Sequence, residues 1–145
     1  MLTKLEVRHE SINMKYILDT HALIWFLEGN SRLSPIVKAI LSDATSELIL
    51  PAIALAESVW IVSRGKTSIP SVDALLKVVK NDKRVFIHPL DSDVIEKSVE
   101  LTSINEMHDR QIVSTALVLE SQGNQVALLT CDQNIFAAKL VTIIW

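Results

Sequence analysis

Four acidic residues are the side chains of this sequence best suited to catalysis. They are Asp19, Glu57, Asp109 and Asp132. Asp19 directly follows the apolar run 15–18 (KYIL), and Asp132 comes shortly after the apolar run 126–129 (VALL). If the fold brings these carboxylates together, they repel one another and require a counter-ion. Mg²⁺ or Mn²⁺ is the fitting cation, because hard divalent ions take oxygen ligands.

Glu57 is unusual because it interrupts the apolar stretch 53–62 (IALAESVWIV). On a helix, the neighbours of a side chain on its own face lie three and four positions away. For Glu57 these neighbours are all apolar: Ile53, Ala54, Trp60 and Ile61. An ionised carboxylate on such a packed face is costly unless it is paired or coordinates a cation. The alternative to a functional role is a buried ion pair with an arginine such as Arg110.

The three aspartates also have an ordinary structural interpretation. Asp19, Asp109 and Asp132 each precede or open a predicted helix, where an aspartate accepts hydrogen bonds from free backbone N–H groups and suits the helix dipole. Capping explains each of them taken singly. The functional signal therefore lies in their joint arrangement with Glu57.

The elements that must position these acids alternate along the chain. The predicted strands are 15–18, 47–50, 85–88, 126–129 and 141–144. The predicted helices are 21–28, one opening at Ser34-Pro35, 51–63, 71–80, 91–101, 109–121 and 133–138. Wholly apolar strands separated by helices predict an α/β fold with a mostly parallel five-stranded sheet covered on both faces. Ligands of such folds bind beyond the carboxyl ends of the strands, where three of the four acids stand.

Length and composition limit the number of domains and exclude some classes of protein. A chain of 145 residues is the usual size of one domain, and 49% hydrophobic residues with a mean hydropathy of +0.32 predict a large core and an adhesive surface. No apolar run reaches the roughly 18–20 residues of a membrane span. The net charge of −3 gives no overall basic surface for nucleic acid, and the single cysteine excludes an internal disulfide and fits the cytoplasm. We expect residues 1–13 to be an appendage, or Met14 to be the natural start, with one domain over 14–145.

Four stretches together resemble the PIN domain family, specifically the VapC-like toxin ribonucleases of type II toxin–antitoxin pairs. They are 16–27 (YILDTHALIWFL), 51–66 (PAIALAESVWIVSRGK), 109–117 (DRQIVSTAL) and 128–135 (LLTCDQNI), in the order and with the spacing of that family. The resemblance covers roughly residues 14–145. It implies a three-layer α/β/α PIN-like fold.

The resemblance also implies which residues act. The family's conserved acids fall on Asp19, Glu57, Asp109 and Asp132. Thr130 matches the hydroxyl that supports the last acid, whereas Glu106 stands where the family often has an aspartate. Together these matches imply a Mg²⁺- or Mn²⁺-dependent endoribonuclease of the cytoplasm, forming a homodimer and binding a cognate antitoxin protein.

Phosphodiester hydrolysis by metal-activated water fits these side chains without a serine, cysteine or histidine nucleophile. We expect Asp19 and Asp132 to be direct metal ligands. Glu57 and Asp109 are ligands as well, or hold the ligands or the attacking water in place. Arg110 is a candidate phosphate contact or acid partner.

Two other classes of function are also compatible with parts of the sequence. An aspartyl-phosphate phosphatase or receiver-like domain would use the aspartate of ILDTH, but His21 stands where the phosphatase needs a second acid. A non-catalytic interaction module of PIN fold is the other alternative, although all four acids are present.

Trp25 and Trp60 are expected in the core or a dimer interface, and Cys131 is expected to be a buried small residue.

Overall fold

The computed structural model describes residues 14–145, and it confirms the predicted alternation of strands and helices. The predicted appendage at 1–13 lies outside the described residues. The strands are β1 (Met14–Leu18), β2 (Glu47–Pro51), β3 (Val85–His88), β4 (Gln125–Leu129) and β5 (Ile143–Ile144). The helices are α1 (Thr20–Glu28), α2 (Pro35–Ser42), α3 (Ala52–Ser63), α4 (Val72–Asn81), α5 (Ser92–Val99), α6 (Met107–Ser121) and α7 (Gln133–Ala138).

The five strands form one sheet in the order β3-β2-β1-β4-β5, and every neighbouring pair is parallel. The predicted α/β fold with a parallel sheet is therefore confirmed. The chain winds from β1 to β2 and β3 on one side, and β4 and β5 lie on the other. The strand order thus reverses at the β1–β4 pair, where Leu18 is in register with Leu129. Ligand sites of parallel sheets lie at such a reversal.

Apolar side chains on the central strands form most of the core. Ile17, Leu50, Leu128 and Leu129 are fully buried, as the continuous apolar runs predict. Burying each such side chain contributes roughly 1.5–3 kcal/mol to folding. The carboxyl ends of β1 and β4 are therefore held rigidly beneath the residues that follow them.

Side-chain caps fix where most helices begin. Ser34 and Ser71 cap α2 and α4, as their positions predict. The prediction that α6 begins at Asp109 is wrong by two residues, because Glu106 is the N-cap and accepts from the Asp109 N–H at 3.0 Å. Asp109 consequently lies inside the first turn, and its carboxylate is not the cap of its helix.

Several large apolar side chains remain at the surface. Trp60 on α3 is 62% exposed, so it lies outside the core and its other predicted place, a dimer interface, stays a prediction. Trp25 on α1 packs partly buried against the core. Phe86 and Phe136 are similarly exposed, at 57% and 60%. Among the helices formed by residues 14–145, none combines the length and the apolar character that crossing a membrane requires.

Candidate active site

Asp19 stands at the point where the strand order reverses, directly after β1. Its Oδ1 atom accepts a hydrogen bond from the Thr20 N–H at 2.7 Å, and its Oδ2 atom accepts one from the Thr130 hydroxyl at 2.5 Å. The residue is only 9% exposed. Burial raises the pKa of Asp19 above its ordinary value, although both hydrogen bonds oppose that shift. The carboxylate is thus oriented by two hydrogen-bond donors, at a buried position that disfavours its ionised form.

Asp132 lies on the neighbouring strand end, three residues past the last residue of β4. Its N–H donates to the Thr130 hydroxyl at 3.1 Å, so one threonine contacts both aspartates. The Oδ1 atom of Asp132 caps α7 by accepting from the N–H groups of Asn134 and Ile135 at 2.9 and 3.0 Å. The capping interpretation therefore holds for Asp132, and it leaves the Oδ2 atom for another partner.

Glu57 reaches the same edge from the second turn of α3. Its Oε1 atom accepts from the Thr20 hydroxyl at 2.9 Å, and its Oε2 atom lies 3.4 Å from His108 Nδ1. Burial raises the pKa of Glu57, with the Thr20 hydrogen bond opposing the shift. No ion pair joins Glu57 to Arg110 in the part of the chain that the structure describes. The alternative of a buried Glu57–Arg110 bridge is therefore not found.

Asp109 brings the fourth carboxylate from the first turn of α6. Burial, and after it the negative charges of Asp132, Asp19, Glu106 and Glu57, raises the pKa of Asp109 to about 7. Four carboxylates influence this one group because they surround it. The structure therefore brings the four sequence-predicted acids to one edge of the sheet, with Glu106 at the periphery.

The donor set suits a hard divalent cation, because burial raises the pKa of Asp19, Glu57 and Asp109 and a bound cation would supply the positive charge that favours their ionised forms. Within residues 14–145, however, no three acidic, imidazole or thiol side chains are arranged to enclose a metal ion as they stand. Coordination would therefore require rotation of side chains. Asp19 and Glu57 are already held by hydrogen bonds, which leaves Asp109 as the group that would turn towards them.

Arg110 and His108 make contacts that the sequence did not predict. The Arg110 Nε atom donates to the backbone carbonyl of Ile104, so part of its guanidinium supports the loop before α6. His108 Nδ1 lies 3.0 Å from Glu106 Oε1 as well as near Glu57. Sequence reasoning gave His108 no role, and the only available signal was its position beside Asp109.

Thr20 is a second residue that sequence reasoning missed. Its hydroxyl holds Glu57, and its backbone N–H holds Asp19. The stretch ILDTH places this threonine beside the first acid, but its partner is 37 positions away. The contact forms only because α1 packs against α3, so the sequence alone could not predict it.

The comparisons with known proteins agree with this geometry. The model of the PIN domain family matches residues 16–139. A search of curated proteins gives no match. The solved structures described next are less than 25% identical to this chain, so they bear on the fold alone.

Three of these structures are the following. VapBC2 from Rickettsia felis, bound to a DNA fragment from its promoter, has a TM-score of 0.66 at 18% identity over 90% of this chain and 98% of that one. A toxin–antitoxin complex from Klebsiella pneumoniae has a TM-score of 0.65 at 17% identity over 90% and 96%. VapC20 from Mycobacterium tuberculosis, a toxin that cleaves the sarcin–ricin loop, has a TM-score of 0.64 at 16% identity over 87% and 96%.

Proposed function

This chain belongs to the PIN domain family, and from that membership we propose that it is a Mg²⁺- or Mn²⁺-dependent endoribonuclease acting as the toxin of a toxin–antitoxin pair. The observation that carries the proposal is the gathering of Asp19, Glu57, Asp109 and Asp132 at one edge of the sheet, with Thr130 and Thr20 holding Asp19 and Glu57. Burial, and after it the charges of neighbouring carboxylates, raises the pKa of Asp109 to about 7. The activity of the M. tuberculosis protein, which cleaves an RNA loop, supports RNA as the substrate.

The four acids have different roles in the proposed site. In the proposed mechanism Asp19 and Asp132 would hold the metal, and Glu57 and Asp109 would complete the site as ligands or hold the attacking water. A bound ion would supply an activated water and stabilise charge on the scissile phosphate. The Thr130 hydroxyl fixes the Asp19 carboxylate before any ligand arrives.

Thr20 and His108 orient Glu57 from two sides. The Thr20 hydroxyl donates to one carboxylate oxygen, and the His108 ring approaches the other. Glu57 is thereby kept from rotating into solvent along its helix. A side chain held in this way needs little reorganisation when it acts, which favours a functional placement over a chance one.

The proposed partners are a second copy of the chain and an antitoxin protein in the cytoplasm. The Klebsiella pneumoniae relative is a toxin–antitoxin complex, which supports the second of these. Exposed apolar side chains on α3, α5 and α6, namely Trp60, Val99 and Met107, offer area for such contacts. We expect an antitoxin segment to place a basic residue near the acids, where it would compete with the metal.

The experiment that tests the proposal is incubation of the purified chain with total RNA, with and without Mg²⁺ or Mn²⁺, beside an Asp19→Asn control. The expected result is RNA cleavage that requires the metal and is lost in the control. Asn retains the ability to cap α1, so the variant should fold. Absence of cleavage with either metal, by a protein shown to be folded, would contradict the nuclease assignment and favour a non-catalytic module.

A further inference from the structure

A cleft of about 410 Å³ opens beside the acids at the carboxyl edge of β4 and β5. It is lined by Thr130, Cys131, Gln133, Phe136, Ile143 and Trp145. Thr130 is the residue that holds Asp19, and Cys131 precedes Asp132. None of the four acids lines the cleft, but Cys131 and Gln133 flank Asp132 in the chain, so the cleft lies next to the candidate active site. A molecule whose reacting atom lay at the acids would extend naturally into it.

Two of the walls are aromatic. Phe136 is 60% exposed although it is a large apolar side chain. Trp145 is partly buried and packs edge-on against Trp25, with ring centroids 5.8 Å apart. Trp25 in turn lies 5.2 Å from the ring of His21. Trp145 is thus in contact with a second aromatic ring, and Phe136 faces water at a cost that a covering group would relieve.

The remaining lining includes a polar amide, which suits a planar ligand whose edges carry hydrogen-bond donors and acceptors. The amide of Gln133 carries both donors and an acceptor. Its Nε2 atom is 3.5 Å from the Cys131 carbonyl, at the outer limit of a hydrogen bond, so this amide can exchange its partner easily. Cys131 is exposed, which corrects the expectation of a buried thiol.

We propose that this cleft, called here the base cleft, binds an unpaired nucleobase of the RNA substrate, adjacent to the phosphate that is cut. The base would stack on Phe136 or Trp145, and Gln133 would contact its edge. Single-stranded RNA is recognised in this manner, by stacking on aromatic rings together with hydrogen bonds to base edges. The inference rests on the proposed ribonuclease function and adds to it a determinant of substrate choice.

An RNA base fits the base cleft better than a protein segment for two reasons. Cys131 and Gln133 of the cleft are the chain neighbours of Asp132, so an occupant joined to the scissile phosphate needs no separate anchor. Its lining also includes the amide of Gln133 and the hydroxyl of Thr130, whereas the groove that takes an amphipathic helix is hydrophobic. A protein occupant is an outcome that the experiments below detect.

The first experiment measures steady-state cleavage of single-stranded RNA by Phe136→Ala, with Phe86→Ala as the matched control. Phe86 is exposed to a similar degree, but it lies on β3 at the opposite edge of the sheet. Phe136→Ala should raise KM by about tenfold, more than it lowers kcat, because stacking on one aromatic ring is lost. Phe136→Tyr should restore KM, and Phe86→Ala should leave both constants unchanged.

The second experiment does not depend on cleavage. Cys131 is the only cysteine of the sequence and lines the base cleft, so its alkylation by N-ethylmaleimide reports occupancy directly. In an Asp19→Asn background with Mg²⁺ present, a short single-stranded RNA should slow alkylation by at least about fivefold, as expected at saturating RNA from simple occupancy. Duplex RNA should protect poorly, and Phe136→Ala in the same background should abolish protection.

The results separate this inference from the proposed function. If the wild-type chain never cleaves RNA, the ribonuclease proposal fails, whatever the alkylation shows. If the wild type cleaves RNA while Phe136→Ala keeps its KM and RNA leaves Cys131 fully reactive, the base cleft is refuted and the ribonuclease stands. A change of oligomeric state in Phe136→Ala by sedimentation, with KM unchanged, would assign the surface to a protein contact and overturn the inference.

Discussion

The hydroxyl of Thr130 donates a hydrogen bond of 2.5 Å to Asp19 Oδ2, joining two residues that are 111 positions apart in the chain. The same hydroxyl accepts from the Asp132 N–H at 3.1 Å. One short side chain therefore ties together the ends of β1 and β4, the pair of strands at which the sheet order reverses. The relative position of two acids is consequently set by the fold before any metal or substrate binds.

Thr130→Val tests this role of the hydroxyl. Valine has nearly the shape of threonine, but it leaves the buried Asp19 carboxylate without one donor and the Asp132 N–H without its acceptor. We expect the free energy of unfolding to fall by about 1–3 kcal/mol, the usual cost of an unsatisfied buried polar group. Urea denaturation measures it. Cleavage of RNA should fall in parallel, because the orientation of Asp19 is lost.

Thr130→Ser is the matched control, since it keeps the hydroxyl and removes only a methyl group. It should retain most of the cleavage rate. Equal unfolding free energies for Thr130→Val and the wild type would show that the hydrogen bond to Asp19 does not stabilise the fold.

The sequence predicted the sheet and the gathering of the acids because both follow from local patterns. An apolar run followed by an acid, as in KYILD at Asp19, places a carboxylate at the end of a buried strand. Glu57 was identifiable because its helical neighbours are all apolar. Parallel strands then bring such residues to one edge, so neither conclusion needed a tertiary contact.

The supporting contacts could not be predicted, because they depend on how the helices pack. Glu57 takes its hydrogen bond from Thr20 and approaches His108, although an arginine partner was equally consistent with the sequence. The start of α6 was missed because Glu106, rather than an aspartate or serine, is the cap. Cys131 is exposed because it lies in the loop beside the cleft, where the apolar character of β4 has ended.

Glu57→Gln distinguishes a functional acid from a structural one. A glutamine oxygen can still accept from the Thr20 hydroxyl, so the hydrogen bond that holds the side chain survives. Removing one of several repelling carboxylates should leave the metal-free protein as stable as the wild type or more stable. RNA cleavage should nevertheless fall by about 10²-fold or more, because the water or the metal is no longer held correctly. Thermal unfolding and initial cleavage rates measure the two effects.

The control for Glu57→Gln is Glu106→Gln, a neighbouring acid at the periphery that also contacts His108. It should reduce cleavage far less. A Glu57→Gln protein that is clearly destabilised without metal, yet cleaves RNA at a near wild-type rate, would show that Glu57 serves the fold alone.

Metal addition should stabilise the folded chain through the same carboxylates. An ion that binds only the native state raises the melting temperature by mass action. Millimolar Mn²⁺ or Mg²⁺ should therefore raise the melting temperature of the wild type more than that of Asp19→Asn. Differential scanning fluorimetry measures both, with Ca²⁺ as a comparison for ionic strength and charge. The same increase in the two proteins would argue against a metal site that includes Asp19.

The stability of the metal-free chain should depend on pH through Asp109. Its pKa is raised from 3.8 to about 7 in the folded state, so between these values the native protein binds a proton that the unfolded chain has released. Stability must then fall as pH rises through this window, and the contribution of Asp109 is fully present only below about pH 4. Burial raises the pKa of Asp19 and of Glu57 as well, which adds to the trend in the same direction.

Asp109→Asn should flatten this dependence, because an amide does not titrate. The measurement is urea denaturation in a chelator at pH 5, 6, 7 and 8. The informative quantity is the difference between wild type and variant, in which the titrating groups that do not interact with Asp109 cancel. Asp73→Asn, an exposed acid in the first turn of α4, is the control and should keep the wild-type slope. Added Mn²⁺ should reduce the slope of the wild type, since the ion replaces the proton as the partner of the carboxylates. A slope in Asp109→Asn as steep as that of the wild type would show that the acids do not act on Asp109 as their geometry indicates.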